Sequence, residues 1–119
     1  MSAITATEIT TDPEGKVKGY KWAGVTEADT CTPVRFTDKD DITISVHGTL
    51  GGSSWALHLS GHDSTLTDYY VATNQADTTA AIALTVDNTA ALVLETAAYF
   101  APVRTGGTGV SVDLVLTGK

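Results

Sequence analysis

The sequence predicts an all-β protein: an antiparallel β-sandwich, jelly-roll or immunoglobulin-like, of seven to eight strands. Two observations predict it. Apolar residues alternate with polar ones along several short segments. Turn signals built from Gly, Asp, Asn and Pro recur roughly every ten residues, the spacing of sandwich strands.

The 119 residues fit one domain. A chain of this size buries about two-thirds of its unfolded surface, enough for one core. Residues 1–15 are rich in Thr and end in the turn signal Asp12-Pro13-Glu14-Gly15. They are expected to form an extended N-terminal arm that orders on a partner, leaving residues 16–119 as the domain.

Tyr20 and Trp22 share one face of a first strand, and Val34 and Phe36 one face of a second. Asp38-Lys39-Asp40-Asp41 is a charged turn. Ile42, Ile44 and Val46 then point one way, with Thr43, Ser45 and His47 opposite. Gly48, Gly51 and Gly52, within Gly48–Ser54, are expected to close a hairpin, because glycine reaches positive φ at little cost. Its return strand turns Trp55, Leu57 and Leu59 inward and Ala56, His58 and Ser60 outward.

After the loop Gly61–Thr65 come Asp68-Tyr69-Tyr70-Val71, whose tyrosines split across a sheet, and a loop over 73–77. Ile82, Leu84 and Val86 alternate before a turn at Asp87-Asn88. The segment 89–101 has helix-forming composition, but it ends in Tyr99-Phe100 and Pro102 among strands, so strand plus loop is expected. Gly106, Gly107 and Gly109 form a last turn. It leads into Val110, Val112, Leu114 and Leu116, the clearest alternation in the chain. Phosphate-cradling glycines lead into a helix N-terminus, so these are turn glycines.

Net charge is −7 and the isoelectric point about 4.6. Such a field repels phosphate backbones and anionic lipid, so neither nucleic acid nor membrane is an expected partner. No segment is apolar enough for a spanning helix, and the N-terminus lacks the pattern of a signal peptide. Cys31 is the single cysteine, so there is no disulfide framework.

Catalysis finds little support. No G-x-S-x-G elbow appears, and Cys31 has no His nearby in sequence. The acids Glu27 and Asp29, and Asp40 and Asp41, read as solvated turn residues. His47 and His58 share a polar face of the expected hairpin, with His62 in the next loop, a weak set for zinc. No catalytic residue, metal or cofactor is therefore assigned, and the protein is expected not to be an enzyme. Trp22 and Trp55 are in phase with aliphatic residues, which favours the core.

Two further stretches carry a resemblance. Gly48-Thr49-Leu50-Gly51-Gly52-Ser53 is followed by a strand and Ser60-Gly61-His62-Asp63. Later, Tyr99-Phe100-Ala101-Pro102-Val103-Arg104-Thr105-Gly106-Gly107-Thr108-Gly109 precedes the last strand. This order of pieces, over about residues 42–117, resembles the small decoration or head-cement proteins of tailed phages. The resemblance implies a structural virion protein, made in the host cytoplasm and bound to the capsid exterior. Its partner would be the major capsid protein, and a homotrimer at local threefold points would cement neighbouring capsid subunits.

On that reading the contacts are expected from Ser2, Ala3, Ile4 and Thr5 of the arm, Thr49, Leu50 and Ser53 of the first glycine loop, and Thr105 and Thr108 of the second. The alternative is a carbohydrate- or receptor-binding module of a phage tail or fibre, which requires Trp22 or Trp55 to be exposed as a stacking platform.

Overall fold

The structure, a computed structural model, describes residues 2–10, 17–36 and 41–119. The turn signals at Asp12-Pro13-Glu14-Gly15 and Asp38-Lys39-Asp40 lie outside the described residues. Among the described residues the fold is all-β, with 13 strands and no helix. They are β1 (Ser2–Ile4), β2 (Thr7–Thr10), β3 (Lys18–Val25), β4 (Asp29–Cys31), β5 (Val34–Arg35), β6 (Thr43–Thr49) and β7 (Ser54–Ser60). There follow β8 (Tyr70–Val71), β9 (Thr73–Asn74), β10 (Asp77–Ala81), β11 (Thr89–Leu92), β12 (Tyr99–Thr105) and β13 (Ser111–Gly118). The count exceeds seven to eight because several pairings span only two or three residues, too short for alternation to be visible.

Two sheets hold most of the chain. One is five-stranded, ordered β11-β6-β13-β3-β2; the other is four-stranded, ordered β5-β12-β7-β8. Every pairing within both is antiparallel. The small pair β9–β10 is antiparallel as well, while β1 runs parallel to β4. Ile44 and Val46 from β6, Leu114 and Leu116 from β13 and Trp22 from β3 enter one buried cluster with Trp55 and Leu57 from β7 and Phe100 from β12. Both sheets therefore feed one core. An aromatic relay joins them: Tyr20 of β3 meets Phe36 edge-on at 5.8 Å, and Phe36 meets Phe100 at 6.2 Å.

A β-bulge in β3 sets which side chains enter this core. Val112 pairs with Val25, but Leu114 pairs with Trp22, so β3 carries an extra residue there. Gly24 adopts positive φ at the bulge, and its amide donates to Asp113 Oδ1 at 2.9 Å. The extra residue lets Trp22 and Val25, three positions apart, both point inward.

The turn around Gly51-Gly52 is not a hairpin. β6 pairs with β11 and β13, whereas β7 pairs with β12 and β8, so the chain crosses from one sheet to the other at 50–53. A buried brace holds the crossing: Ser53 Oγ donates to the Leu50 carbonyl at 2.6 Å and accepts from Trp55 Nε1 at 3.1 Å. The N-terminal segment is likewise not a free arm over residues 2–10. Ser2–Ile4 pairs with β4, Ile4 packs against the core, and Thr7–Thr10 forms the edge of the five-stranded sheet. These pairings satisfy backbone groups of β3 and β4 within the chain and leave β2 as a sheet edge.

Between Ile82 and Val86 only a single bridge forms, Trp55 with Leu84, and Val86 is exposed. The strand in this region lies earlier, at Asp77–Ala81. Residues 89–105 form strand, loop and strand, with no helix.

Candidate functional site

The glycine loops singled out in the sequence come together at one end of the fold. Thr108 N donates to the Gly51 carbonyl at 2.9 Å, joining loop 105–109 to loop 48–53. Glu27 braces the second loop from below. Its Oε1 accepts from Gly109 N at 3.0 Å and its Oε2 from Val110 N at 3.2 Å. Arg104 completes the clamp, donating through Nη2 to the Glu27 carbonyl at 2.8 Å and through Nη1 to the Gly106 carbonyl. The backbone bonds and the Arg104 charge hold the Glu27 carboxyl below its ordinary value. Two more side chains tie the first loop down: Asp87 Oδ1 accepts from Leu50 N at 3.0 Å, and Asn88 Oδ1 from Gly48 N at 3.2 Å.

Glu27 is thus a loop brace, not the solvated turn residue its sequence context suggests. Neither it nor Arg104, Asp87 or Asn88 could be found from local pattern, because their partners lie between 37 and 83 residues away, apart from the Arg104–Gly106 contact. At this end Thr49, Thr105 and Thr108 are exposed. Leu50 and Ser53 are each only 2 % exposed, so they support the crossing and offer no side-chain surface. In the N-terminal segment Ser2, Ala3 and Thr5 are exposed, while Ile4 turns toward the core.

The other residues singled out in the sequence are spread over the fold. His47 and His58, expected as neighbours across a hairpin, lie in different sheets because the chain crosses between them. His58 stacks on Tyr69 with ring centroids 4.0 Å apart and planes 9° from parallel. Partial burial pushes the His58 imidazole below its ordinary pKa. His62 Nε2 sits 3.2 Å from Asp68 Oδ2 on an exposed loop. Among the described residues no group of three or more His, Cys, Asp or Glu is arranged to hold a metal. Burial, with the Asp29 charge beside it, pushes the Cys31 thiol up to about 12, so it is a poor nucleophile. Trp22 and Trp55 are both buried, and the exposed aromatics are Tyr69 and Tyr70, on one side of β7.

Asp63 organises the loop that delivers these tyrosines. Its Oδ1 accepts from Thr65 N at 2.9 Å and Thr65 Oγ1 at 2.7 Å, and its Oδ2 from Asp68 N at 2.8 Å. These bonds favour the charged form and hold the carboxyl at about 2 against an ordinary 3.8. The loop contacts are therefore complete above pH 3.8 and fade as pH falls toward 2. The expected result of a carboxyl-carbon NMR titration is a midpoint for Asp63 near 2, with the Thr65 and Asp68 amides shifting together with it. A midpoint at the ordinary aspartate value would remove this account of the loop.

Beside Tyr70 a groove of about 620 Å³ opens between β8 and residues 95–97. Leu59, Val71 and Ala97 give it apolar walls, and Thr73, Glu95 and Thr96 give it polar ones. In comparisons with known proteins, no family model, no curated protein and no solved structure matches this chain.

Proposed function

We propose that this chain is a structural virion protein that binds the outer surface of a phage capsid and cements neighbouring capsid subunits. The observation that carries the reading is the braced end, where loops 48–53 and 105–109 are locked to each other and to Glu27 and Arg104. A contact surface fixed before binding loses little conformational entropy on docking. Many copies on a lattice then add through avidity, so each contact can be modest.

On this reading the two larger sheets are the layers of a β-sandwich, and Thr49, Thr105 and Thr108, with Ser2, Ala3 and Thr5, meet the major capsid protein. The protein acts as a homotrimer, made in the host cytoplasm, with no enzymatic role and no cofactor. Its charge of −7 disfavours contact with packaged nucleic acid or with membrane. The rival reading, a glycan- or receptor-binding module of a tail or fibre, relied on an exposed tryptophan, and both tryptophans are buried.

Immunogold electron microscopy of virions, with antibody against this chain, tests the proposal. Dense, even labelling of heads is expected. Labelling confined to tails would overturn it in favour of the rival, and unlabelled virions would overturn both.

A further inference from the structure

We propose that the groove beside Tyr70 is a socket for a basic side chain, lysine or arginine, presented by a partner protein. The inference stands on the groove's own chemistry and holds whatever protein carries the basic residue.

Three observations converge on it. First, Glu95 is a half-buried carboxylate held in a fixed position. Its Oε1 accepts from Thr73 N at 2.8 Å and its Oε2 from Thr73 Oγ1 at 2.7 Å. Each oxygen retains a lone pair for a further donor. A positioned, half-buried carboxylate attracts a cation more strongly than a mobile one in water.

Second, Tyr70 is 73 % exposed at the edge of the same groove, far more than an ordinary core-flanking aromatic requires. An aromatic ring lining the same groove as a carboxylate suits a cation, which can gain from both. Val71 and Ala97 give apolar walls against which the aliphatic stem of lysine or arginine can lie while its head stays polar.

Third, the net charge of the chain has the matching sign. The chain carries −7 overall, a field that steers basic partners toward it. The same strip exposes further apolar side chains. Leu94 N donates to the Thr73 carbonyl at 3.0 Å and Gln75 N to the Leu92 carbonyl at 2.9 Å, so 92–94 runs alongside 73–75. Leu92 and Leu94 are exposed there. The occupant is therefore a protein surface with apolar residues around a protruding basic one. A neutral sugar would also use Tyr70, but it would gain nothing from the net charge.

The test is an amide-shift NMR titration of the full chain with Nα-acetyl-lysine amide, beside the same compound of norleucine, which has the stem without the charge. Saturable shifts at Tyr70, Thr73 and Ala97 are expected with lysine, at least tenfold weaker with norleucine. Glu95→Gln keeps an acceptor for Thr73 N and is expected to weaken the lysine probe roughly tenfold. Tyr70→Ala, at an exposed position, is expected to weaken it about two- to fivefold. Equal response to norleucine overturns the proposal, as does an unshifted groove. Stronger shifts of the same amides by N-acetylglucosamine also overturn it, in favour of a glycan site. Should Glu95→Gln disturb the fold, the norleucine comparison and Tyr70→Ala still decide. Because the probe is a free amino acid derivative, a negative result here is separate from a negative result on virions.

Discussion

Trp22→Ala is expected to lower unfolding free energy by about 3–5 kcal/mol, the range for removing a fully buried large aromatic. Trp22 has no exposed surface and contributes to the single cluster fed by both sheets. Its indole N–H also donates to the Thr32 carbonyl at 2.9 Å, which ties the chain between β4 and β5 to β3. Removing the ring leaves a cavity and strips that carbonyl of its donor, and the second effect adds about 1 kcal/mol. Total stability for a domain of this size is only about 5–15 kcal/mol. A fall in Tm of at least about 10 °C is therefore expected in a thermal melt followed by circular dichroism. Trp22→Phe keeps most of the volume and loses the hydrogen bond, so it should fall between the two. A change under about 1 kcal/mol for Trp22→Ala would mean that the indole is not in the core.

The burial of Trp22 was legible in the sequence because it shares parity with Tyr20 and precedes other alternating segments. Val25 was not legible. Its inward position depends on the bulge at Gly24, which shifts parity by one residue and leaves no local trace except the glycine itself. The β13 alternation was plain because a central strand packs one face on the core along its whole length. The crossing at Leu50–Ser53 has the sequence pattern of a hairpin for an equally physical reason. Glycine with positive φ serves a tight hairpin and a sheet-to-sheet corner alike, and only long-range pairing distinguishes them. The N-terminal strands share this difficulty, since a Thr-rich segment of low hydrophobicity looks the same whether it is free or added at an edge. At the braced end the loops themselves were visible as glycine clusters, but the groups that fix them were not. Glu27 and the Gly109 amide are 82 residues apart, and nothing in either neighbourhood records the other.

Gly51→Ala is expected to be nearly as damaging as Trp22→Ala, and to act on the candidate contact surface. Gly51 has φ +59°, and a Cβ placed there would overlap the Thr108 carbonyl. Left-handed strain costs about 1–2 kcal/mol in a residue with a side chain, and forced separation of packed backbone adds about 1–3 kcal/mol. The two loops would have to part, breaking the Thr108 N to Gly51 carbonyl bond that joins them. Gly52 supplies the control. Its φ is +81°, but a Cβ there meets nothing within 4 Å, so Gly52→Ala carries the strain without the clash. Urea unfolding should rank Gly51→Ala well below Gly52→Ala in stability. Amide exchange at Thr108 should quicken in the first variant and stay near wild type in the second. If the braced end docks on a capsid, Gly51→Ala should also lose head labelling at temperatures where its core strands remain folded, because the surface is built by the contact between two loops. Equal behaviour of the two variants would mean that the loops are not held together, and the rigid contact surface on which the proposed function rests would go with them.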